Sequence, residues 1–459
     1  MNILNKLKPI RLFFMALATP LFLGACAADF LDVKPDQQMV VPRSMKDLRA
    51  LLDNTMKMNI SMPYFGETAS DDQYLTYDRY ISLTQEEARL AYIWQPSSHY
   101  RNNESLEWNN RYEQIFYCNI VLDRIDDIHA NTAVETRERD EIKGTALFFR
   151  AFAYWQLAQL FCKPYVPQTA GRDLGLPLRL SSDINDATVR ATVAQTWTQM
   201  IDDLRQSAVL LPASVAWKTR PTSTAAYALL ARIYLAMGEY ANAAEMAQQS
   251  LKADDSLIDY ALLDPSRTYP IDKFNDEVLF HSVMTGGLAV RENRLIVDST
   301  LFRSYNDRDY RKQVYFYFND GVRYKGSYNG ERDFFCGLTT SEMVITLAEA
   351  EARLGRLSAA MDAMRKLLSN RYMDGSYADR LVADGEKLLV FILEERRKEL
   401  IFRGVRWTDL RRLNQDNRFA KTLVRILDGQ EYVLEPNSSR YVFPIPQNVI
   451  DKTGIPQNE

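Results

Sequence analysis

Apolar residues recur at steps of three and four along much of the chain, the period of an α-helix with one buried face. Over 107–127 that face is Trp108, Tyr112, Ile115, Cys118, Leu122 and Ile125. Thr132 and Glu135 have the spacing of a capping box, in which two side chains satisfy two otherwise unpaired N–H groups at a helix start. The helix predicted from there carries Ile142, Ala146, Phe149, Ala153, Leu157 and Leu160. Pro164 and Pro167 end it, because proline lacks a donor and clashes with the preceding turn. A loop over 163–177 follows, then a second helical pair over 192–211 and 222–236. Residues 44–58 read as a short helix, after an extended stretch from Asp29 to Pro35.

The pattern Leu230, Ala231, Tyr234, Gly238, Tyr240, Ala243, Ala247, Leu251 resembles a tetratricopeptide (TPR) repeat. Small residues let two helices approach, glycine makes the turn, and large residues fill the groove. The spacing returns at Leu347, Ala348, Gly355, Leu357, Ala360, Met364 and Leu368. These copies are separated, so the expected architecture is a helical scaffold with long insertions. One insertion, 313–328, has an aromatic run, the turn Asn319-Asp320-Gly321 and a second β-prone run, which predicts a hairpin. Residues 255–300 read as mixed and loop-rich. The fold class is therefore mostly α: a TPR-like scaffold, a loop-rich lobe and a small β-hairpin.

The first residues are not fold material. Lys6, Lys8 and Arg11 precede an apolar run from Leu12 to Ala25, too short to span a bilayer and of signal-peptide length. It ends in Leu23-Gly24-Ala25-Cys26, the form of a lipobox with Gly and Ala in reversed order. The expectation is a lipoprotein signal over 1–25 and acyl lipid, including palmitate, on Cys26. Several acyl chains at about 0.8 kcal/mol per buried CH₂ anchor a protein firmly. No later segment is apolar enough to span a membrane. Cys118, Cys162 and Cys336 remain, an odd number that argues against a disulfide framework.

Composition narrows the chemistry. Lys+Arg is 56 against Asp+Glu 60, so the basic surplus of a nucleic-acid binder is missing. Three histidines, His99, His129 and His281, lie too far apart for an HExxH-type metal site. No phosphate loop with its lysine and no GxSxG elbow occurs, and no cofactor is expected. Acid pairs such as Asp71-Asp72, Asp126-Asp127 and Glu394-Glu395 read as solvated helix faces. No catalytic residue is assigned.

The run Glu394 to Arg412, EERRKELIFRGVRWTDLRR, reads as an amphipathic helix, a glycine turn and a second helix start held by ion pairs and Arg–Trp packing. It also resembles the signature of the SusD/RagB family of outer-membrane nutrient-binding lipoproteins. Phe30-Leu31-Asp32 behind the lipobox, Arg150 to Leu157, Ala226 to Leu235, and Phe443-Pro444-Ile445-Pro446 with Gln457-Asn458 are similar to that family's other motifs. Arg403 departs from it, standing where an acid is commoner.

The resemblance implies TPR-like helices cradling a loop-rich lobe. It implies a protein on the outer face of the outer membrane that caps a SusC-type TonB-dependent transporter. Such a protein captures an oligosaccharide, or in some branches a peptide, without catalysis. Asp29 and Asp32 are similar to surface-export signals. The implied division is 1–25 signal, 26–220 with the first TPR-like helices and an aromatic loop, and 221–459 with the remaining helices and insertions. A TPR-type assembly scaffold with no small-molecule site stays open as an alternative.

Aromatics point to the ligand. Eight lie between Tyr64 and Tyr100 and eleven between Phe302 and Phe335, about twice and nearly three times the density that the chain average of 11% gives. Aromatic faces stack on the C–H faces of sugars, and tyrosine adds a hydroxyl. The expected ligand residues are Trp94, with Tyr92 and some of Tyr74, Tyr77 and Tyr80. Pro96 is expected to hold Trp94 on a stiff loop. Gln95, Asn102 and Asn103 are the polar neighbours expected to bond sugar hydroxyls.

Overall fold

The helices begin where the sequence supplies caps. Ser44, Thr132 and Thr192 each accept from the N–H three residues on, and Asp47, Glu135 and Gln195 return the bond. Such caps are each worth about 1 kcal/mol. The computed structural model describes residues 42–99, 105–285, 289, 291 and 293–458. Cys26, the signal segment, Asp29, Asp32, Asn102 and Asn103 lie outside these. Ser44–Glu459 is one compact unit, and residue 220 falls inside it, in the connection between two packed helices.

The scaffold packs in series: Leu106–Ile125, Ala133–Phe161, Val193–Leu210, Ser223–Met237, Tyr240–Ala253, Thr340–Arg353 and Leu357–Leu368. Gly385–Glu399 closes against Thr340–Arg353. The two TPR-like copies are distant in sequence, yet Tyr240–Ala253 lies directly on Thr340–Arg353. Residues 254–339 therefore loop out of the stack as the second lobe. Gly238 and Gly355 make the two turns with φ of 77° each, the left-handed region that a side chain disfavours.

The long helix departs from a one-faced pattern. Every residue from Gly144 to Trp155 is buried, because neighbouring helices pack on both sides of it. Arg150 is buried there and held at 2.7 and 2.8 Å by Asp203 of the next helix.

Among the described residues the strands form only two-stranded pairs. The expected hairpin is Phe316–Phe318 against Val322–Tyr324, with Asp320 and Gly321 at positive φ in its turn. It is shorter than expected, since Arg311–Tyr315 is a turn of helix instead. A second hairpin, Leu423–Leu427 against Gln430–Leu434, turns at Asp428-Gly429. The same Asp-Gly turn signal stands there in the sequence, in a stretch for which no hairpin is expected above.

Candidate functional site

The signature run holds the two lobes together. Lys398 and Glu395 of helix Gly385–Glu399 bond Tyr372, and Glu395 and Glu399 meet Arg311 at 2.5 and 3.1 Å. Arg371 is clamped between Glu277 at 2.6 Å and Glu399 at 2.9 Å. Buried charges persist only when paired in this way. Arg397 and Arg406 reach Asp72 and Asp71 at 2.8 and 2.7 Å, tying the scaffold to the aromatic loop. Arg403 spreads over the Tyr328 ring at 3.6 Å, so its departure from the family pattern is a packing choice. The acid pairs Asp71-Asp72 and Glu394-Glu395 are thus taken up in ion pairs, Glu394 with Arg380.

Gly404, at φ 74°, donates its N–H to Glu67 Oε1 at 2.8 Å, and a Cβ there would lie 3.2 Å from that of Cys336. Burial pushes the Glu67 carboxyl up to about 8. Glu107 is raised to about 8 by the same cause, and accepts from the N–H of Tyr64 at 3.1 Å. Two neutral glutamic acids therefore brace the start of the aromatic loop at neutral pH.

Two of the expected ligand residues are core. Trp94 is 2% exposed and Tyr92 is 1% exposed. The helix Glu86–Tyr92 ends with Gln95 N–H bonded to the Leu90 carbonyl at 2.9 Å, and Trp94 takes φ 56° in that turn. The indole N–H donates to the Ala69 carbonyl at 2.8 Å. The Tyr92 hydroxyl accepts from the N–H of Leu75 at 2.7 Å. Arg425, from the second hairpin, lies 3.6 Å over the Tyr92 ring and 4.6 Å from that of Trp94. It also donates to the carbonyls of Tyr92, Thr68 and Ser70. Rings enclosed this way offer no face to a sugar.

The other three tyrosines lie differently. Tyr74 is 38% exposed and Tyr77 43% exposed, while Tyr80 is half-buried with its ring 5.8 Å from that of Tyr92. Tyr74 sits on strand Gln73–Tyr74, which pairs with Ile296–Val297. Tyr77 and Tyr80 sit on helix Tyr77–Ile81. Arg79 of that helix reaches Asp320 Oδ2, in the hairpin turn, at 2.5 Å and the Arg294 carbonyl at 3.3 Å. The first aromatic cluster is thereby joined to the second. Phe318, beside that turn, is 74% exposed and meets Phe302 edge-on at 5.5 Å. Phe316, two residues earlier, is buried. Phe318 and Arg79 are not among the residues expected from the sequence; alternation puts Phe316 and Phe318 on one strand face, so it is the place of Phe318 at the turn end of the strand that goes with its exposure.

Among the described residues no helix is long and apolar enough to cross a membrane. No group of three or more His, Cys, Asp or Glu there is placed to hold a metal ion. Cys118, Cys162 and Cys336 are free and buried.

Residues 29–235 match the family described as starch-binding, associating with the outer membrane, and residues 292–459 match the SusD family. No curated protein matches the chain in sequence. Among solved structures, a SusD superfamily protein of Bacteroides thetaiotaomicron VPI-5482 is 23% identical with a TM-score of 0.74, covering 91% of this chain and 100% of its own. A SusD-like carbohydrate-binding protein of Bacteroides vulgatus ATCC 8482 is 19% identical with a TM-score of 0.68, covering 89% and 97%. A laminarin-binding SusD-like protein is 18% identical with a TM-score of 0.64, covering 90% and 97%. Two adjoining family matches, the buried signature network and the shared fold lead to one conclusion: this chain belongs to the SusD/RagB family.

Proposed function

We propose that the chain captures an oligosaccharide at the cell surface without cleaving it and hands it to a SusC-type TonB-dependent transporter. The lipid on Cys26 would hold it to the outer membrane. The observation that carries the reading is the exposed pair Tyr74 and Tyr77, locked to the Phe318 hairpin through Arg79 and Asp320. Exposed rings on a cross-braced backbone stack on sugar faces with little ordering cost. The carbohydrate-binding and laminarin-binding relatives support a glycan as the ligand class.

Affinity should be modest, about −8 to −4 kcal/mol, or micromolar to millimolar. Calorimetry against a panel of glycans and peptides, with Tyr74→Ala, Tyr77→Ala and Phe318→Ala beside the unaltered chain, is the test. Each substitution should weaken the best glycan by about tenfold, roughly 1.4 kcal/mol, while leaving the melting temperature nearly unchanged. Binding of peptides alone, release of cleaved sugar, or three variants that bind as the parent does would overturn it.

A further inference from the structure

A cleft of about 380 Å³ opens where the long helix Ala133–Phe161 ends. A second, of about 260 Å³, adjoins it and shares Lys163, Asp173, Ser439 and Val442 with it. Neither is lined by any of the tyrosines Tyr74, Tyr77 and Tyr80. The size is that of a small-molecule site.

Charge sets this place apart. The chain as a whole is at −4, yet the two clefts are lined by Lys163, Arg172 and Arg411 against a single acid, Asp173. Arg411 is buried and donates to the carbonyls of Ala158, Gln159 and Cys162 at the end of the helix. Its Nε has no hydrogen-bond partner, and among the described residues no carboxylate pairs with it. A helix C-terminus offers only about half a negative charge, so part of the guanidinium charge is left unbalanced beneath the cleft. Burial lowers its pKa to about 10, which leaves it charged at neutral pH. Lys163, which lines both clefts, lies 3.3 Å from Asp173 and is half exposed, so its ammonium can take a second anion. The lining also holds the neutral hydrogen-bonding groups Asn437, Ser438 and Ser439; Asn437 already pairs with Gln415 and the Asn414 carbonyl and Ser438 accepts from the Arg440 N–H, which leaves each with further donor or acceptor capacity.

We propose that this cleft binds a small sugar acid, its carboxylate held by Lys163 in the field of the buried Arg411 and its hydroxyls by Asn437, Ser438 and Ser439. A carboxylate answers the cationic side and hydroxyls answer the amide and serine side, so a molecule carrying both fits better than one carrying either. The site is separate from the tyrosine surface, and its existence does not depend on glycan capture there.

Calorimetry on the full chain in mild detergent, with glucuronate, glucose and acetate as probes, tests it. Glucuronate should bind about tenfold more tightly than glucose or acetate. Lys163→Ala should weaken it by about tenfold, and Asp173→Asn, which removes the competing acid, should tighten it a few-fold. Tyr77→Ala should leave it unchanged, which separates this site from the one proposed above. Glucose or acetate binding as tightly as glucuronate would overturn the sugar-acid assignment. So would no glucuronate heat at about 50 mM, far above the weakest affinity expected for such a site. An Asp173→Asn chain that binds no better would overturn it independently of any damage that Lys163→Ala does to folding.

Discussion

Replacing Trp94 by alanine should destabilise the fold rather than disable a binding surface. The ring is buried, and removing a buried aromatic side chain costs about 3–5 kcal/mol through lost burial and the cavity left behind. The lost indole N–H leaves the Ala69 carbonyl without that donor, about 1 kcal/mol more. Arg425 loses one of the two rings it lies against, roughly another 1 kcal/mol. The terms overlap, so the expected total is about 4–6 kcal/mol, a large part of the 5–15 kcal/mol typical of a folded domain. Trp94→Phe keeps most of the ring and should cost only about 1–3 kcal/mol. Guanidinium unfolding followed by circular dichroism gives both values, and calorimetry on the folded protein gives glycan affinity. The reasoning is refuted if Trp94→Ala lowers stability by less than about 1 kcal/mol while glycan affinity collapses, because the ring would then be a binding face.

Glu107 gives a pH signature. Its folded pKa of about 8 lies above the ordinary 4.5, so its contribution is present in full below pH 4.5 and is lost as pH rises through 8. The loss is at most about 5 kcal/mol at high pH, and Glu107→Gln should flatten that slope in urea titrations run from pH 4.5 to 9. Arg371→Ala should cost about 3–5 kcal/mol by leaving Glu277 buried without its ion-pair partner and Glu399 with Arg311 alone, read from the denaturation midpoint. An Arg371→Ala chain as stable as the parent would show the network to be dispensable. Cys26→Ala should abolish labelling with palmitate and release the chain from the outer-membrane fraction; continued labelling would rule out lipid on that cysteine. Pull-down from detergent-solubilised cells growing on the nutrient should recover a TonB-dependent barrel, and recovery of this chain alone would count against that partner.

Much of the scaffold is legible in the amino-acid order alone, because helix burial is a local and periodic property. Thr132 with Glu135 marks a helix start, Gly238 and Gly355 mark turns, and Pro164 follows a helix end at Phe161. Each of these acts within a few residues of itself. The signature run is equally legible as an ion-paired helix, but its partners are not. Glu399 meets Arg311 and Arg371 from separate segments of the chain. Charge density announces that ion pairs exist, while their pairing is settled by packing.

The aromatic clusters divide along the same line. Their composition marks the lobe beside the scaffold as ring-rich, and the Asp-Gly turn places a hairpin within it. Which rings face water is another matter. Trp94 and Tyr92 look like the sharpest ligand residues, yet Arg425, whose guanidinium bonds the Tyr92 carbonyl across 333 residues, encloses them. Tyr74 and Tyr77 stay exposed, and Arg79 fixes the helix that carries Tyr77 to Asp320 across 241 residues. The sequence by itself determines helices, turns and the segments where rings gather, since these follow from each residue and its near neighbours. Only the tertiary structure decides which ring becomes core and which becomes surface, because a side chain is buried by whatever the fold brings against it from far along the chain.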